Sequence, residues 1–197
     1  MNAAFFLKLL EQFNEDEMAQ HSIKDHHVYG MDYLCLARTP GLTVKIYHMN
    51  EPYNPNEGFL VHPHSHRYAF DTIVLRGFTR HLRFKPMAGE DWRVHSYNPD
   101  TKAMLPTVRC GWECKVESHG AGSTYSVHED EIHTLQVEEN NGPLLLGLFQ
   151  YRDTRKTTSV LTPVETEYLN QPGSRKMNIF EASGLAHRAI ELIKETL

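Results

Sequence analysis

Cysteine is scarce in this chain, with three residues in 197. So few, and an odd number, make poor material for a disulfide framework, which excludes the small secreted scaffolds that depend on one. Long apolar runs are missing as well: no segment approaches the roughly 18 consecutive apolar residues that a membrane-spanning helix needs. The apolar stretch from Ala3 to Leu10 has no basic leader and no small-residue cleavage site, and it runs into the acidic segment Glu11 to Glu17. It therefore reads as a helix and not as a signal peptide. These absences predict a cytoplasmic protein without a membrane partner. Positive charge is also thin. The net charge is -5, and no Lys/Arg block is interleaved with aromatics, so the electrostatic footprint of a nucleic-acid binder is lacking. Internal repeats and low-complexity segments are absent.

What is present suits one globular core. Hydrophobic residues make up 40% and charged residues 23%, which predicts a single domain over residues 1–197. Its organisation falls into three zones. In a helical N-terminal extension of about 30 residues, Phe6, Leu9, Leu10 and Phe13 recur at i, i+3, i+4 and i+7, one face of a helix running from Asn2 to about Gln20. From about residue 31 to 153 the pattern changes to short β-rich runs: YLCLAR, LTVKIYHM, FLVHPHSH, FDTIVLRG, FTRHLRF, DWRVHSY, TYSVH, IHTLQV and PLLLGLFQY. Turn-rich breakers separate them at Asn50 to Gly58, Pro86 to Gly89 and Glu138 to Pro143. Many short strands at this spacing indicate an all-β barrel or sandwich. Residues 154–197 form a polar C-terminal extension, irregular until Ala186, Ile190, Ile193 and Leu197 mark a terminal helix. Cys110 and Cys114 form a C-x3-C pair, read as half-buried thiols or as half of a metal site whose second half is not at zinc-finger spacing.

The stretch VHPHSHRYAFDTIVLRG, Val61 to Gly77, carries the chemistry. In a strand, His62, His64 and His66 point to one side, and Pro63 between them places that strand at an edge or an end. With thirteen histidines in the chain, a merely solvated polar face stays open on spacing alone. The wider string is more specific: Gly58, His64, His66, Asp71 and Gly77 spell G-x5-H-x-H-x4-D-x5-G.

That string resembles the first motif of the cupin superfamily, in which Glu stands near the position of Asp71. The segment from Tyr125 to Val137 resembles the second, with His133 at its ligand position and Glu129-Asp130-Glu131 where the family usually has Pro-x-Gly. The resemblance covers about Val44 to Tyr151. It implies an all-β cupin-type double-stranded β-helix, a jelly-roll barrel with a helix at each end. It also implies a metal held on His64, His66 and His133, with Asp71 as a fourth ligand, as a water-mediated one, or as the partner of a ligand histidine's second nitrogen. Such imidazole sets suit one divalent transition metal: Fe(II) is favoured, with Zn, Ni, Mn or Cu as alternatives. Within the superfamily the chain is similar in part to thiol dioxygenases such as cysteine dioxygenase, through its N-terminal helix, its H-x-H and the "LLLGLFQY" strand. The Ser-His-Tyr array of those enzymes falls here on about Leu145, Gly147 and Phe149, and the cysteine cross-linked in some of them falls on Asp71.

Strand parity from His133 predicts Leu135 inside, and a pocket wall of Gly147, Phe149 and Tyr151. Arg76, Arg80 and Arg83 lie on the runs after the motif. Arg76 is the candidate for a substrate carboxylate, against the alternative of outward-facing charges. Gly77 is a candidate bulge that would reverse the alternation. His128 and Tyr125 are the candidate proton-moving groups, His128 otherwise being an exposed turn residue, and His62 is expected to form a rim hydrogen bond. Two enzyme classes fit, a non-heme Fe(II) dioxygenase acting on a small organic molecule and a metal-dependent isomerase or lyase. A non-catalytic small-ligand-binding protein is a third possibility. Cupins commonly associate through barrel strands, and the apolar Phe5-Phe6 pair or the C-terminal helix could cap the barrel or a partner, so a homodimer is a possible assembly whose pairing surface stays open.

Overall fold

A computed structural model describes residues 2–49, 61–98, 100–101, 103–137, 142–155, 157–165 and 173–197. Gly58 and the breakers Asn50 to Gly58 and Glu138 to Asn141 lie outside them. The chain opens with two helices, α1 (Ala3–Glu11) and α2 (Glu15–His21), where the periodicity predicts one. The reason is Asn14, whose side chain accepts hydrogen bonds from the Asp16 and Glu17 amides and so starts a new helix. Glu15, Asp16 and Glu17 then fill its first turn, where acids complement the helix dipole.

The strands follow as β1 (Ile23–Lys24), β2 (Met31–Arg38), β3 (Leu42–Met49), β4 (Phe70–Arg76), β5 (Phe78–Asn98), β6 (Ala103–Met104), β7 (Val108–Gly120), β8 (Thr124–Val127), β9 (Ile132–Val137), β10 (Leu144–Tyr151), β11 (Thr158–Pro163) and β12 (Arg175–Lys176). The chain closes with α3 (Ile179–Lys194), which starts at an Asn178/Glu181 capping box, a turn or more before the apolar pattern announces it. A seven-stranded antiparallel sheet has the order β12-β1-β2-β3-β10-β4-β8, and a second sheet is centred on β5, which pairs with β6, β7, β9 and β11. The H-x-H segment is not a full strand. It bridges the second sheet at His64, between His133 on β9 and Val160 on β11. Successive segments β3, His64, β4, β5, then β8, β9, β10 and β11 alternate between the sheets. This all-β, double-sheet jelly roll is the arrangement the cupin resemblance implies.

Two layers of core form on the larger sheet. Its inner face packs Tyr47, Phe70, Val74, Leu146 and Leu148 against Leu135 of the second sheet. Its outer face packs Val44, Ile46, Ile73, Leu75 and Leu145 against Phe6, Leu10, Ala182, Ala186, Leu192 and Ile193 of the helices. A sheet buried on both faces loses the polar alternation that tells inside from outside.

One strand runs on where a break is expected. β5 runs unbroken through Pro86 to Gly89, with a register shift between Met87 and Trp92 against β7. Gly111 of β7 permits the crossing, because a Cβ there would stand 2.5 Å from the Ala88 carbonyl oxygen. At Gly77, φ is +86° and the chain leaves β4 of one sheet for β5 of the other. No helix of the described residues is long and apolar enough to cross a membrane.

Candidate metal centre

Backbone pairing fixes the H-x-H segment before any side chain is considered. His64 and His133 exchange both amide-to-carbonyl bonds, at 2.9 and 3.0 Å, and the Leu161 and Ser65 backbones tie the same segment to β11 at 2.7 and 2.8 Å. Three imidazoles converge as a result: the ligand-capable atoms of His64, His66 and His133 all lie within 4.8 Å of one another.

The ring tautomers suit an ion. His64 Nδ1 is 2.8 Å from the His62 carbonyl oxygen, so it donates there and leaves Nε2 with a lone pair. His133 Nδ1 is 2.9 Å from Nε2 of His81, a fully buried residue on β5. With His133 donating through Nδ1, its Nε2 is likewise an acceptor, oriented by its neighbour as metal-binding imidazoles commonly are. Nε2 of His66 stands 2.9 Å from Nε2 of His133. Two nitrogens bound at about 2.1 Å and at a right angle would be about 3.0 Å apart, so the pair fits adjacent positions on one ion. Burial lowers the pKa of His66 and His133 well below the usual value, helped next by the proximity of His64 for His66 and of His66 for His133; burial lowers that of His64 as well. All three are neutral donors at pH 7. The donor set therefore fits a divalent transition metal and does not specify which one.

The imidazoles stand between two hollows. Inward lies a cavity of about 60 Å³, walled by Tyr47, Tyr68, Phe70, Tyr125, Leu135 and Leu148. Outward lies an open depression of about 460 Å³, bordered by His26, His62, Arg67 and Tyr97. His27 lines both hollows, with its ring 5.5 Å from that of His64. Its backbone has φ of +70°, a left-handed conformation that costs a non-glycine residue free energy and is often found beside functional sites.

Several expected site residues lie elsewhere. Asp71 alternates with Phe70 and Thr72, so it points out of the inner cavity, accepting hydrogen bonds at 2.5 Å from the Ser126 and Tyr151 hydroxyls. It reaches neither the three histidines nor their second nitrogens. Tyr151 is on that outer side with it. Phe149 packs on Phe5 and Phe6 of α1, at ring-centroid distances of 5.5 and 5.6 Å. Gly147, Phe149 and Tyr151 do share a face, but it is the face under the helices. Arg76 pairs with Glu195 and the Leu192 carbonyl at the end of α3 and offers no clamp to a substrate. His128 is exposed in the turn before β9 and lines neither hollow. Tyr125 and Leu135 do line the cavity. Nor does the thiol-dioxygenase array have a counterpart on β10, where Leu145, Gly147 and Phe149 all face the helices.

His81 and His27 were not anticipated. The Thr79, His81, Arg83 alternation in FTRHLRF held a signal for the first. The second has none, because an irregular turn carries no period.

No protein-family model and no curated protein matches this chain. Solved structures similar to it include the hydroxypropylphosphonic acid epoxidase from S. wedmorenis, with 16% identity over 71% of this chain and 61% of that one and a TM-score of 0.41. The chain thus spans about three-fifths of that enzyme's length. The polyketide cyclase RemF from Streptomyces resistomycificus matches at 11% identity over 70% of this chain and 73% of that one, TM-score 0.39. KdgF from Halomonas sp. matches at 15% identity over 64% and 82%, TM-score 0.35.

Proposed function

We propose that this chain is a mononuclear metal-dependent enzyme, a dioxygenase that oxidises a small organic molecule at the three-histidine centre. One observation carries the reading: His64, His66 and His133 converge as neutral donors on the wall of a small, largely apolar cavity. Three imidazoles leave coordination positions for other groups, and the close His66–His133 pair suits the right-angled arrangement of a five- or six-coordinate ion. Fe(II) there would supply the one-electron chemistry through which dioxygen reacts, whereas Zn, Ni or Mn would act as Lewis acids.

The chain's own residues select and shield. Tyr47, Tyr68, Phe70, Leu146 and Leu148 exclude water and admit a compact molecule. Among the described residues no Lys or Arg lines the inner cavity, so the buried end of the substrate is uncharged.

A metal-dependent isomerase or lyase is the second reading. Two groups of opposite proton character in one cavity support it: burial keeps His27 neutral and the Tyr125 hydroxyl protonated.

Elemental analysis of the protein purified without chelator, together with oxygen-electrode traces of Fe(II)-loaded samples, tests the proposal. One equivalent of metal and oxygen uptake with a small organic substrate are expected, with the metal held more weakly and the uptake abolished in His64→Ala and His133→Ala. Metal affinity and oxygen uptake both unchanged in the two variants would overturn the centre. Metal-dependent turnover under nitrogen would instead favour the isomerase or lyase.

A further inference from the structure

Among the described residues, one other group of side chains has the composition of a metal site. His81, Glu117 and His119 bring their donor atoms within 4.8 Å of one another. The pairing of β5 with β7 places them: His81 lies directly opposite Glu117, and His119 follows two residues along the same strand, so all three project from one face. Tyr125 covers the group, with its ring 4.5 Å from that of His81 and 4.6 Å from that of His119.

Two features point to a ligand. His81 Nδ1 and His119 Nε2 are buried polar atoms without a hydrogen-bond partner, and His81 is wholly shielded from solvent. Buried nitrogens of this kind are normally satisfied, and here two of them flank one carboxylate. Glu117 takes the Lys115 ammonium on Oε1 at 2.8 Å and the Arg83 guanidinium on Oε2 at 3.0 Å. A carboxylate has about four acceptor positions, so these contacts leave room for a cation. Oε2 already lies 3.9 Å from His119 Nε2.

We propose that His81, Glu117 and His119 form a second binding site for a divalent transition metal, separate from the three-histidine centre. Two imidazoles and a carboxylate suit Zn(II), Co(II) or Fe(II). The two sites share a hinge, the 2.9 Å contact between His81 Nε2 and His133 Nδ1. A lone pair on His133 Nε2 places that ring's proton on Nδ1, and His81 then carries its own on Nδ1. A cation on His81 Nδ1 requires the opposite arrangement. Neutral rings satisfy one arrangement at a time, so filling either site weakens the other.

Equilibrium dialysis and visible absorption with Co(II) as the probe test this, with circular dichroism as the check that each variant is folded. A folded His64→Ala/His66→Ala double variant should still bind one equivalent. Adding His119→Ala or Glu117→Gln should weaken that binding by at least about tenfold, as loss of support at metal sites commonly does. In the unaltered protein the same two substitutions should leave the first equivalent in place. A folded double variant that binds no Co(II), or one whose binding is indifferent to both added changes, overturns the proposal. Failure of the three-histidine centre is distinguishable, since the first equivalent bound by the unaltered protein would then itself be weakened by His119→Ala or Glu117→Gln.

Discussion

Asp71 shows how little separates a ligand from a surface group. Its neighbours Phe70 and Thr72 face the cavity, so a strand side chain between them must face away. Asp71→Ala should therefore leave metal content unchanged and cost about 1 kcal/mol through the loss of two exposed hydroxyl contacts. Elemental analysis and urea unfolding check the two halves, and a lost ion would return Asp71 to the site. His81 has the opposite standing, since it holds the ring of His133 from behind. His81→Phe should weaken retention at the three-histidine centre by about 10- to 100-fold in a chelator competition. Retention equal to that of the unaltered protein would show that His133 needs no such support.

At the level of elements, β10 is the informative strand. LLLGLFQY is apolar at nearly every position because one face meets the second sheet and the other meets α1 and α3. Nothing in the residues could say which parity was inward, and the assignment of Phe149 and Tyr151 to the pocket failed for that reason. Gly147 records the packing instead: a Cβ there would stand 2.5 Å from the Phe6 ring. Gly147→Ala should destabilise by about 1–3 kcal/mol, as overpacking does. Pairing it with Phe6→Leu should recover part of the loss. Additive losses in urea unfolding would refute the contact. The missed strand β11 had a signal in its alternating Thr158, Val160 and Thr162, overridden by the polar composition around it. The missed β7 contains Cys110 and Cys114, which are free thiols and belong to neither metal-capable group among the described residues.

Across the whole molecule, buried histidines tie stability to pH. His48 faces the helices with neither ring nitrogen hydrogen-bonded, and burial, then the charge of Arg188, lowers its pKa from 6.5 to about 4. His26 is lowered to about 3, by burial first and then by Lys45. Between those values and 6.5 the unfolded chain binds protons that the folded chain refuses. Stability is therefore complete above pH 6.5 and falls as the pH drops toward 4 and then 3. Thermal unfolding followed from pH 7 to 4 should show a falling midpoint, with a shallower slope in His48→Leu. An identical slope in that variant would assign the acid sensitivity to other groups.

Local patterning was enough for the all-β class, most strand positions, the helices at both ends and the three histidines that meet, because alternation, capping and motif spacing are properties of neighbouring residues. Which face of the doubly buried sheet is inward, the removal of Asp71, Arg76, Phe149 and Tyr151 from the pocket, and the arrival of His27 and His81 beside it were decided only in the folded chain. Those outcomes depend on what packs against each face, and the partners come from segments far apart in the chain whose approach no local period encodes.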